Sequence, residues 1–269
     1  MANQKKATVR SFRKMKQEGR KIVMVTAYDA PTAKFSEEAE VDMILVGDSL
    51  GMSTMGYSDT IPVTMDDMIH HCKCVRRGAP NTFVIGDMPF LSSHLSEETV
   101  LKNAARFMQE ANCDCVKLES DRSSIPMVKK LVQAGIPVCA HIGLLPQSVK
   151  TSGSYRIHGR SEEEAQSLLE DAKALEEAGA FCIVFECLPR ELAKKLTAAL
   201  EIPTIGIGAG PDTDGQVQVN ADLIGFFTNY LPKHAKCYAN LGEQMIRALK
   251  DYADDVRSGK FPEDSNSFD

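Results

Sequence analysis

Residues 181–210, FCIVFECLPRELAKKLTAALEIPTIGIGAG, contain an apolar run, an acidic residue, a helix-like stretch and a second apolar run. The apolar runs are Cys182–Phe185 and Thr204–Ile207, and the intervening Pro189–Leu200 is rich in Ala, Leu, Lys and Glu. Uninterrupted apolar runs are typical of strands that are buried on both faces, as in parallel sheets. The stretch therefore predicts a β-strand, a crossover helix and a second, parallel β-strand.

The same order of apolar run and helix-like segment recurs along the whole chain. Eight such units predict an α/β fold of the (β/α)₈ TIM-barrel type. The alternative is an open doubly wound sheet, which carries its glycine-rich loop after the first strand. Here Gly206, Gly208 and Gly210 follow the seventh run, which favours the barrel. The predicted strands are Ile22–Thr26, Met43–Val46, Phe83–Ile85, Cys115–Leu118, Pro137–Ala140, Cys182–Phe185, Thr204–Ile207 and Leu223–Phe227.

Additional helices are predicted at both ends of the barrel sequence. Val9, Phe12 and Met15 are spaced as on one face of a helix, which we expect to close one end of the barrel. A transit peptide is the alternative interpretation of this basic N-terminal segment. Apolar residues at helical spacing within Leu241–Tyr252 predict the C-terminal helices. No linker or low-complexity stretch interrupts the chain, so we expect a single domain over residues 1–269.

Composition excludes several classes of protein. The 269 residues are 43% hydrophobic and 25% charged, with a net charge of −6, as in an ordinary globular protein. An acidic balance does not favour nucleic acid or an anionic membrane as partner. No apolar run approaches the roughly 18 residues of a membrane-spanning helix. Four of the eight cysteines (Cys115, Cys139, Cys182 and Cys187) lie in or beside apolar runs, and the closely spaced pairs lack zinc-site spacing. We therefore expect free thiols and a cytoplasmic location.

Ionisable residues stand where the apolar runs end, which is where barrel enzymes carry their catalytic groups. Lys117 and Glu119 are two residues apart on one predicted strand, so their side chains share a face. We expect all of these side chains to converge on one rim of the barrel. The candidate residues are Asp48, Asp87, Lys117, Glu119, His141 and Glu186.

Four carboxylates gathered around one lysine require protons or a cation to offset their repulsion, and a divalent metal is the natural partner. Ligands that are all oxygen atoms favour Mg²⁺ or a similar hard divalent ion. Such an ion polarises the carbonyl of an oxo-acid, and a base can then remove a neighbouring proton to give an enolate. Glu186 is the candidate base, and His141 or Lys117 could take that role or stabilise the developing charge. Alternatively, Asp48 and Asp87 could cap helices, and His141 could be a core histidine bonded to backbone.

Several motifs resemble those of the ketopantoate hydroxymethyltransferase family, in order, from Ser11 to Phe268. They are Thr26–Asp29 (TAYD), Val46–Gly51 (VGDSLG), Thr60–Thr64 (TIPVT), Arg76–Pro80 (RRGAP), Asp87–Phe90 (DMPF), Val116–Glu119 (VKLE), His141–Leu144 (HIGL), Pro146–Ser148 (PQS), Glu186–Cys187, Ile205–Gly210 (IGIGAG) and Pro232–Lys233. The resemblance implies a (β/α)₈ barrel that transfers a hydroxymethyl group from 5,10-methylenetetrahydrofolate to 3-methyl-2-oxobutanoate. The product would be 2-dehydropantoate, for pantothenate and coenzyme A biosynthesis.

The resemblance also assigns roles to individual residues. It implies Asp48, Asp87 and Glu119 as Mg²⁺ ligands, and Glu186 as the proton acceptor. It implies that the keto-acid contacts Asp48, Ser49, Asp87 and Lys117. Ser49 enters only through the resemblance, which further implies a homo-oligomer, commonly a decamer.

Two other functions stay open at this stage. A Mg²⁺-dependent carbon–carbon lyase or mutase of the phosphoenolpyruvate mutase and isocitrate lyase type would use the same enolate chemistry without folate. A catalytically silent barrel could serve as a scaffold, although a rim of uncompensated acids argues against it. The polar stretch Val149–Arg160 is a candidate lid over the site.

Overall fold

Eight parallel strands pair in chain order and close into a barrel in the computed structural model, which describes residues 6–153, 156–227 and 231–268. The predicted (β/α)₈ TIM barrel is therefore confirmed. The strands are β1 (Ile22–Thr26), β2 (Met43–Val46), β3 (Phe83–Asp87), β4 (Cys115–Glu119), β5 (Val138–Gly143), β6 (Cys182–Glu186), β7 (Thr204–Ile207) and β8 (Gly215–Gln218).

Helices follow most of the strands along the chain. The predicted extra helices at both ends of the chain are present. The helices are α1 (Val9–Gln17), α2 (Ala30–Glu38), α3 (Leu50–Ser53), α4 (Met65–Gly78), α5 (Glu97–Gln109), α6 (Ile125–Gln133), α7 (Val149–Ser152), α8 (Glu162–Glu177), α9 (Arg190–Ala198), α10 (Asn220–Leu223) and α11 (Leu241–Ser258). Two 3₁₀ turns are Pro146–Ser148 and Asp264–Asn266.

Alternate residues of each strand face two separate apolar cores, because strand side chains alternate between the faces of a sheet. In β4, Val116 and Leu118 belong to the core between strands and helices, whereas Cys115 belongs to the core inside the barrel. Lys117 and Glu119 are in step with Cys115, so they lie on the interior side, as the alternation predicts. The interior core includes Met24, Met43, Ile85, Cys115, Cys139, Cys182, Val184 and Ile205.

Helix α1 packs at the N-terminal ends of the strands. Phe12 and Met15 join the interior core, and the Phe12 ring meets the Phe83 ring edge-on at 5.0 Å between centroids. Lys16 Nζ lies 2.9 Å from Oδ2 of Asp214, the residue before β8. The ionisable rim and α1 therefore occupy opposite ends of the barrel.

The predicted position of the eighth strand is wrong. The strand is Gly215–Gln218, which pairs with β1 on one side and β7 on the other, whereas Leu223–Phe227 contributes to α10 and a turn. The true strand has no apolar run to mark it, because Val217 is its one buried apolar side chain. Gly215 also lies so close to Ile22 that a Cβ atom would clash. In the predicted run, Gly225 has φ of +62°, which interrupts a strand.

Two compact units can be distinguished by their internal contacts. Met1–Gln218 contains the closed barrel, and Val219–Asp269 contains α10 and α11. Within the second unit the Tyr252 ring packs edge-on against Phe261 at 5.5 Å. The organisation of residues 1–269 as a single domain stays a prediction. Among the described helices, none is both long enough and apolar enough to cross a bilayer.

Candidate active site

Acidic side chains stand at the C-terminal ends of consecutive strands, where the sequence predicts them. Asp87, Glu119 and Glu186 are the last residues of β3, β4 and β6, and Asp48 follows β2 after one glycine. His141 lies within β5, in register with Glu119 of β4. Because all of these strands are parallel, the predicted residues are brought to one mouth of the barrel.

A buried ion pair links two of the predicted residues. Lys117 Nζ lies 2.6 Å from each carboxylate oxygen of Asp87, and the two residues are register partners on neighbouring strands. The backbone N–H of Asp48 also donates to Asp87 Oδ2, at 3.2 Å. The end of β2, the end of β3 and the middle of β4 are therefore connected through one carboxylate.

A residue missed by the sequence analysis connects the carboxylates of Asp48 and Glu119. The side-chain amide of Gln147 donates to Asp48 Oδ2 at 2.8 Å, and its backbone N–H donates to Glu119 Oε1 at 2.8 Å. Gln147 is buried in the 3₁₀ turn after β5. The signal that could have identified it is its place in the motif Pro146–Ser148, directly after a strand that carries a candidate residue.

The electrostatics of the mouth favour a bound cation. Burial, together with the charge of Asp87, raises the pKa of Asp48 to about 7, and burial raises the pKa of Glu119 to about 8. Burial alone would lower the pKa of Lys117, but the Asp87 and Asp48 carboxylates outweigh it and raise that pKa. One lysine is thus set against several acids in a site of low dielectric, so positive charge is in deficit.

His141 lies against the candidate base. Its Nε2 atom is 3.1 Å from Glu186 Oε2, and the Glu186 side chain is 18% exposed while that of His141 is 2% exposed. Within the described part of the chain, neither ring nitrogen of His141 makes a contact with hydrogen-bond geometry. The alternative of a core histidine bonded to backbone is therefore wrong, and the imidazole is left to interact with Glu186 or with a ligand.

Ser49 is held by a second residue that the sequence analysis did not single out. The Tyr28 hydroxyl lies 2.9 Å from Ser49 Oγ, and the Tyr28 carbonyl lies 2.6 Å from His71 Nδ1. Burial raises the pKa of Tyr28, so its phenol stays protonated. Tyr28 lies in the motif Thr26–Asp29, two residues after β1, and this position was the available signal.

The capping interpretation of two acids is also wrong. Ser49, not Asp48, is the N-cap of α3, and no helix starts directly after Asp87. The carboxylate that does cap a helix is that of Asp29, which accepts from the backbone N–H of Thr32 at the start of α2. Asp48 and Asp87 are buried in the mouth, bonded to Gln147 and Lys117 respectively.

The chemistry of the donor set fits a hard cation, although the cage is not preformed. No three His, Cys, Asp or Glu side chains among the described residues form a ready metal site. Hydrogen bonds from described residues reach Asp48 Oδ2 and Glu119 Oε1 and leave the second oxygen of each carboxylate unused. Mg²⁺ is commonly bound by one or two carboxylates plus water and substrate oxygens, so a substrate could complete the coordination.

The candidate lid is described only in part, since residues 154 and 155 of Val149–Arg160 lie outside the described residues. Its first turn is α7, where Lys150 Nζ lies 3.1 Å from Asp59 Oδ2. Asp59 belongs to the segment between β2 and α4. The segment after β5 therefore reaches across to the segment after β2.

Solved structures with the same fold support the barrel assignment. Phosphonopyruvate hydrolase in complex with oxalate and Mg²⁺ superimposes with a TM-score of 0.62 at 14% identity, over 97% of this chain and 93% of that chain. A 2,3-dimethylmalate lyase, described as a member of the phosphoenolpyruvate mutase/isocitrate lyase superfamily, gives 0.60 at 18% identity, over 97% and 91%. At these identities the likeness establishes the fold alone.

Relatives of much higher identity define the family. The 3-methyl-2-oxobutanoate hydroxymethyltransferase of Moorella thermoacetica is 51% identical over 268 residues, which are 100% of each chain. The protein of the same name from Desulfitobacterium hafniense (strain DSM 10664 / DCB-2) is 52% identical over 261 residues, 97% of this chain and 94% of that protein. A family model described as ketopantoate hydroxymethyltransferase matches residues 6–264. By fold, by motif order and by this similarity, the chain belongs to the ketopantoate hydroxymethyltransferase family.

Proposed function

We propose that this chain transfers a hydroxymethyl group from 5,10-methylenetetrahydrofolate to 3-methyl-2-oxobutanoate, giving 2-dehydropantoate for pantothenate and coenzyme A biosynthesis. The observation that carries the proposal is the convergence of Asp48, Asp87, Lys117 and Glu119 at one barrel mouth in a member of this family. A buried cluster short of positive charge suits an anionic keto-acid that arrives together with a cation.

Mg²⁺ or a similar divalent ion is the cofactor in this proposal, and Asp48, Asp87 and Glu119 are its protein ligands. When bound, the ion stabilises negative charge on the keto oxygen of the substrate. In the structure Lys117 contacts both carboxylate oxygens of Asp87. With an ion bound, the Asp87 carboxylate would interact with both the ion and Lys117. The ammonium of Lys117 therefore remains next to the substrate-binding region and contributes a further positive charge.

The keto-acid is held by side chains that present both charge and hydrogen-bond donors. Lys117 attracts the anionic substrate, and Ser49 offers a hydroxyl whose orientation is fixed by Tyr28. Asp48 and Asp87 complete the set of substrate contacts. Because Asp48, Asp87 and Lys117 are buried, water is largely excluded and each polar contact is strengthened.

Glu186 is the proposed base. Its carboxylate takes the proton from C3 of 3-methyl-2-oxobutanoate, and C3 then forms the new bond to the one-carbon unit of the folate. A water molecule supplies the hydroxyl oxygen of the product as the two carbon–nitrogen bonds of the folate bridge break. The two nitrogens of tetrahydrofolate take up the proton that Glu186 removed from C3 and one proton of the water. His141 has an accessory role, because its Nε2 atom lies 3.1 Å from Glu186 Oε2, next to the proposed base.

The decisive experiment incubates the protein with the keto-acid, Mg²⁺ and 5,10-methylenetetrahydrofolate and measures 2-dehydropantoate by mass spectrometry. Product that requires all three additions supports the proposal. The absence of product at high concentrations of folded protein would contradict it. Turnover of the keto-acid without folate would instead favour the lyase or mutase alternative, and binding without turnover would favour a scaffold.

We also propose that the chain forms a homo-oligomer, and the family resemblance implies a decamer. The observation in its support is the apolar stripe of α11, whose side chains are exposed at spacings of three and four residues. A second copy of the chain is the occupant we propose for this stripe. We also propose a cytoplasmic location and no nucleic-acid or membrane partner. The stripe consists of Leu241, Met245, Ile246, Leu249, Tyr252 and Val256.

A further inference from the structure

Gln147 uses both of its side-chain donors and its backbone donor at the mouth of the barrel. Its Nε2 atom lies 2.8 Å from Asp48 Oδ2 and 3.0 Å from the carbonyl oxygen of Met88, and its backbone nitrogen lies 2.8 Å from Glu119 Oε1. Both neighbours of the amide nitrogen are acceptors, so the amide has only one sensible orientation. The flipped amide would place three oxygen atoms against one another.

This single residue connects the C-terminal ends of four successive strands. Asp48 follows β2, Met88 follows β3 and Glu119 ends β4, whereas Gln147 itself follows β5. The side chain is 5% exposed, so its hydrogen bonds form away from bulk water. In that environment a polar group without its partner is costly, so the arrangement is strongly specified.

The contacts leave part of each carboxylate available. Among hydrogen bonds made by described residues, Gln147 is the donor to Oδ2 of Asp48 and to Oε1 of Glu119, and Oδ1 and Oε2 accept none. Each acid is thus fixed through one oxygen and presents the other. Loss of a residue that hydrogen-bonds a metal-binding side chain typically lowers the metal affinity about 10–100-fold.

We propose that Gln147 is a positioning residue, which orients the carboxylates of Asp48 and Glu119 for a shared hard divalent cation. This inference rests on the proposed function, because it assumes that the two acids bind a cation. In this role Gln147 acts through the two acids, both of which it contacts. A neutral amide suits this role, since a carboxylate at the same position would add negative charge beside Asp48.

The test uses the full-length protein, freed of metal by a chelator and dialysis, and measures Mg²⁺ binding by calorimetry without keto-acid or folate. The variant Gln147→Met keeps the approximate size of the side chain and the backbone N–H that binds Glu119, but it removes the donor to Asp48 and to the Met88 carbonyl. We expect its dissociation constant for Mg²⁺ to rise about 10–100-fold. Because the variant also loses two buried hydrogen bonds, its thermal midpoint is measured in parallel, and Mg²⁺ binding is compared at a temperature where both proteins are folded.

A matched control comes from the same segment of chain. Lys150 lies three residues after Gln147. The variant Lys150→Met removes the contact with Asp59 and leaves the carboxylates of Asp48 and Glu119 untouched. We expect its Mg²⁺ affinity to equal that of the unmodified protein. If Gln147→Met fails to fold, Gln147→Asn serves instead, because its amide is one methylene too short to reach Asp48, and the same loss of affinity is expected.

Two results would overturn the inference: Mg²⁺ affinity within threefold of the unmodified protein in Gln147→Met, or an equal loss in Lys150→Met. The first would leave Gln147 a purely structural residue, and the second would assign the effect to the loop as a whole. Failure of the proposed function is distinguishable, since the assay for 2-dehydropantoate can be negative while Mg²⁺ binding still depends on Gln147.

Discussion

Lys117 Nζ is equidistant, at 2.6 Å, from the two carboxylate oxygens of Asp87 on the neighbouring strand, and both side chains are buried. A charge pair in this position was desolvated when the barrel closed, so each member depends on the other. The pair also defines the charge of the site, because Lys117 is the one cation that faces Asp48 and Asp87 in the described mouth.

Replacement of Lys117 by methionine should be strongly destabilising. The change leaves the Asp87 carboxylate buried beside Asp48 without its cation, and breaking a buried pair in this way costs about 3–5 kcal/mol. Urea unfolding is measured for Lys117→Met, for Asp87→Asn and for the double variant. The three changes in the free energy of unfolding give the coupling energy between the two residues. We expect the double variant to recover part of the loss, whereas strictly additive effects would contradict a coupled pair.

The variant Glu186→Gln should abolish proton removal while the fold persists. We expect exchange of the C3 proton of the keto-acid with D₂O, followed by NMR, to slow by about 10²–10⁴-fold. The thermal midpoint should change little, since Glu186 is partly exposed. Glu191→Gln, at the exposed start of α9, is the control. Exchange that stays within a few fold of the original rate would remove Glu186 from the role of base.

The stability of the metal-free protein should fall as pH rises from about 6 to about 9, the range in which Asp48 and Glu119 lose their protons in the folded state. The pKa values of Asp48 and Glu119 are raised from 3.8 and 4.5 to about 7 and about 8, so the folded protein binds these protons more tightly than the unfolded chain. Their contribution to stability is therefore full below about pH 4 and is lost as pH rises through 7 and 8.

Addition of Mg²⁺ should reverse this trend, because the cation replaces the lost protons. We expect Mg²⁺ to raise the thermal midpoint more at pH 8.5 than at pH 6, as measured by scanning calorimetry. An Asp48→Asn variant should show a smaller difference between the two pH values. An equal effect of Mg²⁺ at both pH values would argue against a site built on these acids.

Gly86→Ala should overpack the layer behind the candidate site. Gly86 directly precedes Asp87, and a Cβ atom at this position would clash with the buried ring of Phe107 on α5. Overpacking of this kind costs about 1–3 kcal/mol, which urea unfolding can measure. Combining the change with Phe107→Leu should restore part of the lost stability relative to Gly86→Ala alone. If the second change only adds to the loss, the clash is not the cause.

Leu249→Glu should disrupt the proposed oligomer. Leu249 lies in the exposed apolar stripe of α11, and a buried, unpaired carboxylate in an interface is costly. We expect light scattering to give a lower mass for this variant than for the original protein. Lys250→Glu, at the next position, controls for added negative charge and should leave the mass unchanged. An original protein that is already monomeric would contradict the oligomer directly.

The parts of the fold that were predicted correctly are those that depend on local pattern. The alternation of Val116, Lys117, Leu118 and Glu119 fixes which side chains face the interior, and the structure agrees. The eighth strand was mispredicted because β8 exists through its pairing with β1 and β7, and its own residues carry no strand signal.

The site shows the same division. Asp48, Asp87, Lys117, Glu119 and Glu186 could be identified because each lies at or near the end of a recognisable apolar run. The contact between Gln147 and Asp48 joins residues that are 99 positions apart. It depends on how a loop crosses the mouth of the closed barrel, which no local pattern encodes. The same holds for the proximity of His141 and Glu186, which follows from the pairing of β5 with β6.

The interior core holds Cys115, Cys139 and Cys182 on three successive strands, all fully buried. Cys74 is partly exposed and Cys237 is exposed, and all eight cysteines are free. A thiol reagent can therefore modify the inner three only when the barrel strands separate, whereas Cys74 and Cys237 are accessible in the folded protein. The rate at which the three interior cysteines are modified therefore reports how often the barrel opens. Mass spectrometry can measure this rate without any engineered label.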